Sequence, residues 1–319
     1  MTLTTRISNI IILLIYTGIC NAQNEKNSPI GGQNNDGKPL VESSSSKTLL
    51  WQVSGNGLEK PSFLYGTIHM LCAEDAILSE ALKNAIAKSD QVYLEVDMDN
   101  LFEMIGSLKN MKMRGDTTLS DLLNKKDYEK VKNYFEEKSS LLPFSMLETY
   151  KPFLAAATIL ESNTECESVP MEQVIMQEAK KNRKNIKGLE SMSYQMSIFD
   201  SIPYKSQAEQ LVQYIDHAGD KDNKEYDELV SAYKKQDLQK LEELTKQTDM
   251  GMANYVDLLL YNRNRNWVKK LKPLMMEKSL LIAVGAGHLP GENGVINLLR
   301  KAGYTVTPLQ NKIKKSSEI

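Results

Sequence analysis

Apolar and polar positions along this chain follow two rhythms. Short unbroken runs of branched and aromatic residues have the length of strands buried on both faces, and Leu280 to Val284 is the strongest of them. Longer stretches repeat an apolar residue every three to four positions and predict helices. In chain order, Thr48 to Val53 and Ser62 to Gly66 read as paired strands joined by a turn at Ser54-Gly55-Asn56-Gly57. Ile77 to Lys88 follows as a helix with Leu78, Leu82, Ala85 and Ile86 on one face. Gln91 to Asp97 alternates, placing Val92, Leu94 and Val96 on one side of a strand and Tyr93, Glu95 and Asp97 on the other. Helices are predicted within Leu101 to Lys138, over Tyr150 to Leu160 and over Met171 to Lys181, and a short strand over Asn185 to Leu189. Gln207 to Ile215, Tyr226 to Leu244 and Tyr255 to Leu271 have helical spacing. After Leu280 to Val284 a helix ends near Gly303, placed as a C′ residue, and Tyr304 to Pro308 returns as a strand.

This order predicts an α/β (α+β) protein with a central mixed sheet flanked by many helices. Residues 48–310 are expected to form one domain, with a helical insertion near 192–248 and a basic flexible tail at 311–319. At 319 residues the chain is long enough to bury a sizeable core. Met1 to Ala22 carries one charged residue, Arg6, then the apolar run Ile10 to Tyr16 and Cys20-Asn21-Ala22. That is the layout of a secretory signal peptide cleaved after Ala22, too short for a comfortable membrane span. Lipid attachment at Cys20 is the second reading, disfavoured by the bulk of Ile19. An uncleaved anchor is the third. Residues 23–47 are a polar tether with almost nothing to bury. No other long apolar segment occurs, so the mature chain is expected to be secreted or periplasmic, with no membrane span. The 39 basic and 41 acidic residues leave a net charge of −2, which gives no electrostatic footprint for nucleic acid. Oligomeric state is not written in these patterns.

Export leaves two cysteines, Cys72 and Cys166, and an even count in an oxidising compartment suggests one disulfide. Two unpaired buried thiols are the alternative. The chain has three histidines, and two share one setting. His69 ends Gly66-Thr67-Ile68-His69 and His288 ends Gly285-Ala286-Gly287-His288, each after a buried strand. In open α/β sheets, sites lie at the carboxyl ends of strands. Gly285 and Gly287 are expected to supply positive φ or a close backbone approach. His217, near a helix end, reads as structural.

Glu95 and Glu190 also fall in or just after strands, so His69, Glu95, Glu190 and His288 form a candidate constellation. Imidazole nitrogen and carboxylate oxygen are the donors of a catalytic divalent site, where a bound water loses its proton near neutral pH. A carboxylate not used as a ligand could act as general base, and Arg263 could meet an oxyanion or orient a glutamate. Asn264 sits within a helix where its propensity is poor, which hints at a task beyond packing. The bland readings are hydrogen-bonded structural histidines, ordinary surface carboxylates and a surface basic cluster. Neither H-E-x-x-H nor G-x-S-x-G occurs, and neither cysteine has the setting of a nucleophile.

Several segments in this order resemble the TraB/GumN proteins, which include the TIKI metalloproteases. They are FLYGTIHML, VYLEVD, KPFLAAA, MEQVIMQEAKKN, IKGLES with Gln195 and FDSIP beyond it, RNRNW, and VGAGHLPGENGVINLLRKAGYTVTP. The resemblance runs from about Leu49 to Leu309 and is similar to a bacterial exported member. It implies a fold like the erythromycin-esterase and ChaN group. It also implies a divalent-metal site (Mn, Co or Zn) used to cleave a peptide or protein substrate, with His69, His288 and Glu95 at the metal. Glu190, Arg263 and Asn264 match further family motifs, and with Glu95 they are carried as catalytic candidates. The resulting expectation is an exported metal-dependent peptidase. The alternative is a non-catalytic protein that sequesters a peptide or haem in the same cleft.

Overall fold

The computed structural model describes residues 47–138, 143–162, 166–217, 224–246 and 255–313. The expected leader, most of the tether and the end of the basic tail lie outside them.

A mixed six-stranded sheet forms the centre, in the order β6-β4-β7-β2-β1-β8. Its strands are β1 (Leu50–Ser54), β2 (Ser62–Thr67), β4 (Gln91–Leu94), β6 (Asn185–Gly188), β7 (Leu280–Gly285) and β8 (Thr305–Pro308). β6, β4, β7 and β2 run parallel, while β1 is antiparallel to β2 and β8. Every residue of β2, β4 and β7 is buried, as their continuous apolar runs require. A second, two-stranded sheet joins β3 (Leu71–Cys72) to β5 (Ser168–Val169), and Cys72 and Cys166 are disulfide-bonded beside it.

The period of two assigns the strand side chains to two cores. Phe63, Tyr65, Val92, Leu94, Leu281 and Ala283 pack on α1 (Glu80–Lys88), α7 (Met171–Lys181), α10 (Lys224–Lys234) and α11 (Leu238–Lys246). Leu64, Tyr93, Leu280, Ile282 and Val284 pack instead on α12 (Asn262–Glu277) and α13 (Val295–Lys301). Burying Leu82 and Ile86 of α1 is worth about 1.5–3 kcal/mol each. Ser79 starts that helix by accepting from the Leu82 amide at 3.0 Å, three residues after the start predicted from periodicity.

Beyond the carboxyl ends of the parallel strands the chain is helical. It comprises α2 (Leu101–Ser107), α3 (Leu119–Leu122), α4 (Lys125–Glu137), α5 (Phe144–Leu147), α6 (Pro152–Ser162), α8 (Met192–Ile198) and α9 (Tyr204–Asp216). Met70, Val96, Phe153, Met192, Met196 and Phe199 form a core over those ends. Three local expectations change. Tyr226 to Leu244 is two helices, because Gln236 turns to φ 55° between them. The strand at Gln91 stops at Leu94, so Glu95 leaves the ladder. Gly285 has φ −49°, and neither it nor Gly287 is among the glycines with positive φ. Gly303 does take φ 93° at the end of α13.

Candidate functional site

β2 and β7 are neighbours, with Thr67 opposite Gly285, so the two G-x-x-H segments leave the sheet side by side. The first glycine is required by that proximity: a Cβ on Gly66 would lie 2.9 Å from Leu289 Cδ1 and 3.1 Å from Ala286 Cα. β4 and β6 end on the same side and bring Glu95 and Glu190 to it. Opposite them, a π-helical turn at Asp257–Tyr261 leads into α12, whose first turn presents Arg263 and Asn264.

Arg263 is the hub. Its Nη2 donates to Glu95 Oε2 and to Glu190 Oε1, each at 2.5 Å, and its Nε donates to Glu190 Oε1 at 2.8 Å. Its Nη1 donates to Leu259 O at 2.9 Å and to His288 Nε2 at 3.2 Å. Accepting at Nε2 leaves the His288 proton on Nδ1, from which it is donated to Asn264 Oδ1 at 2.6 Å. Asn264 Nδ2 donates in turn to Asn293 O at 2.9 Å, so the asparagine that helix propensity disfavours holds the imidazole in one tautomer. Glu95 Oε1 accepts from the Gly285 amide at 2.8 Å. Trp267 Nε1 donates to Glu190 Oε2 at 2.9 Å, and its ring lies 4.7 Å from the Arg263 Cζ.

His69 belongs to an adjoining pair. Its Nδ1 is 3.0 Å from Glu172 Oε1, which also accepts a short hydrogen bond from the Thr67 hydroxyl. Its charge and those of Glu95 and Arg263 act on one another. Exposure of His69, Glu95, Arg263 and His288 is 4%, 3%, 2% and 0%, so these groups interact with little water to screen them.

Burial acts most strongly on the Glu95 carboxyl and would raise it, but the Arg263 guanidinium, His288, His69 and the Gly285 amide together hold it down to about 2. Burial also dominates at His288, with Arg263 and His69 adding to it, and the imidazole falls to about 3 and stays neutral. Burial pushes His69 the same way, yet the Glu172 carboxylate, as a charge and as a hydrogen-bond partner, and the Glu95 charge together raise His69 above its ordinary value.

Sequence reasoning therefore named most of the cluster but not its connections. Glu172 gives no signal in the sequence, because an acidic residue in a helix's first turn is ordinary; its burial at 4% is what sets it apart. Gln195, carried only as part of a motif, donates to Glu190 Oε1 at 2.7 Å and to Glu95 Oε2 at 3.3 Å. Ser191, directly after Glu190, caps α8 and brings Gln195 round to both carboxylates.

Such a buried charged cluster at the carboxyl ends of parallel strands, within an α/β sheet, defines the class. The chain belongs to the TraB/PrgY/gumN family, whose model matches residues 49–308. Among curated proteins it is similar to "Metalloprotease TIKI1" of Danio rerio, 22% identical over 324 residues that cover 85% of this chain and 65% of that protein. "Metalloprotease TIKI homolog" of Nematostella vectensis is 24% identical over 317 residues, covering 81% and 66%. "Metalloprotease TIKI1" of Homo sapiens is 23% identical over 350 residues, covering 92% and 67%. The chain thus spans about two thirds of the length of these relatives. No solved structure matches it.

The relatives' name implies a metal, and the donor types here suit one, but their arrangement does not. Both ring nitrogens of His288 already have protein partners, and the lone pair a metal would need is turned to Arg263. Among the described residues, no group of three or more His, Cys, Asp or Glu is disposed to hold a metal ion. The expected joint ligation by His69, His288 and Glu95 is therefore not formed in this arrangement. Nor does any described helix have the length and apolarity to cross a membrane.

Proposed function

We propose that this chain is an exported hydrolase that cleaves peptide bonds at the cluster around Arg263. The observation that carries the reading is the burial of two histidines, three carboxylates and one arginine at the ends of parallel strands. Placing so many charges out of water costs folding free energy, and stability alone would be better served by apolar packing. The disulfide supports export, and the relatives named metalloproteases support the reaction class.

A glutamate was expected to carry the proton, but the Glu95 carboxylate, held at about 2, is a weak base. His69 suits that task better. Glu172 orients its Nδ1, as a carboxylate orients the base of a catalytic triad. In this mechanism, neutral His69 takes a proton from the attacking water and returns it to the leaving amine. Arg263 balances the oxyanion, held in place by Glu95 and Glu190. Asn264 keeps the neighbouring His288 aligned and in one tautomer.

The test is turnover of a peptide library by the purified secreted protein beside its His69→Gln variant. A folded variant slowed by about 10²–10⁴-fold supports the mechanism. Equal rates in the two proteins refute it. Peptide or haem binding with no cleavage by either protein moves the non-catalytic alternative to first place.

A further inference from the structure

The donors that would hold a divalent ion converge on a cation that is already there. A guanidinium has five N–H groups and no acceptor. In Arg263 all five are used: one on Nε, two on Nη1 and two on Nη2 meet Glu190, Leu259 O, His288 Nε2, Glu95 and Glu190. Two carboxylates, one imidazole and one carbonyl are also the donor types of a divalent site. Trp267 closes the arrangement with its ring against the guanidinium and its N–H on the far oxygen of Glu190.

We infer that the Arg263 guanidinium is the resident cation of this centre, and that a divalent ion enters only by displacing it. A divalent ion set beside a retained Arg263 would bring three positive charges against Glu95 and Glu190 in a site nearly closed to water. It would also need the His288 lone pair that Nη1 now occupies. Without the guanidinium, Glu95 Oε2, Glu190 Oε1 and His288 Nε2 would lose their shared cation, while Gly285, Trp267 and Asn264 still hold the other polar atom of each side chain.

The inference concerns the same site as the hydrolase reading but is read by ion binding, so the two can fail separately. Wild type and Arg263→Met are titrated with Mn²⁺, Co²⁺ and Zn²⁺ by calorimetry, with circular dichroism as the check on folding. The variant, with donors intact and the guanidinium gone, is expected to bind at least ten-fold more tightly than wild type. A wild type that binds one ion as tightly as the variant, or more tightly, overturns the inference. Should the variant not fold, the arginine Nε–H resonance of wild type carries the test. It is expected to be present without metal, and either no ion binds or binding abolishes the resonance. One bound ion with that resonance unmoved overturns the inference. Peptide cleavage that is absent under every condition removes the hydrolase reading and leaves the ion titration unaffected.

Discussion

Arg263→Met should be among the most destabilising single changes in this protein. The substitution leaves two carboxylates, Glu95 and Glu190, both buried and both stripped of their shared counter-charge. The magnitude can be approached from Glu95 alone. Its carboxyl is held at about 2 against an ordinary 4.5, a difference worth about 3 kcal/mol of preference for the ionised form in the fold. Removing one partner of a buried ion pair costs about 3–5 kcal/mol in other proteins, which agrees. The pH dependence gives a sharper signature. A depressed carboxyl contributes stability that is fully present above 4.5 and is lost as pH falls through about 2, so Glu95 adds no slope to wild type between pH 7 and 5. In the variant, burial acts without the guanidinium and raises the same carboxyl above 4.5. Its penalty is then largest at high pH and is relieved on acidification. Urea unfolding of both proteins at pH 7 and pH 5 measures this, and groups common to both largely cancel in the difference. The expected result is a cost of several kcal/mol at pH 7 that shrinks at pH 5. A cost below about 1 kcal/mol, or one equal at both pH values, would refute the account of the cluster as a charge-balanced unit.

Three further outcomes follow from the geometry. Glu172→Gln removes the carboxylate that raises His69, so the His69 titration followed by NMR should move to lower pH. The stability that His69 contributes below about 6.5, and loses as pH rises through its folded value, should disappear with it. Replacing Cys72 and Cys166 by serine opens a closure spanning 94 positions and should cost about 2–5 kcal/mol in urea unfolding, with no effect of reductant on the variant. Gly66→Ala drives a methyl against Leu289 and the Ala286 backbone, costing about 1–3 kcal/mol and slowing peptide turnover by spreading the two G-x-x-H segments; unchanged turnover would separate their packing from function.

Apolar periodicity along the chain specifies local elements. Buried strands are readable because β2, β4 and β7 must be apolar on both faces, and α1 because Leu82, Ala85 and Ile86 recur at helical spacing. The two histidines were legible because each follows such a strand, and the glycine after α13 because only a left-handed residue ends a helix that way. The short carboxylate strand, the break at Gln236 and the partners within the site were not legible. Glu95 meets Arg263 across 168 positions, and His69 meets Glu172 from a different helix. No periodicity encodes which oxygen faces which nitrogen at that range. Only the packing of α12 across the ends of four parallel strands decided that an arginine, rather than open space between donors, would stand at the centre. The physical reason is that charge pairing out of water depends on distance and direction in three dimensions, while apolar periodicity depends only on neighbours along the chain.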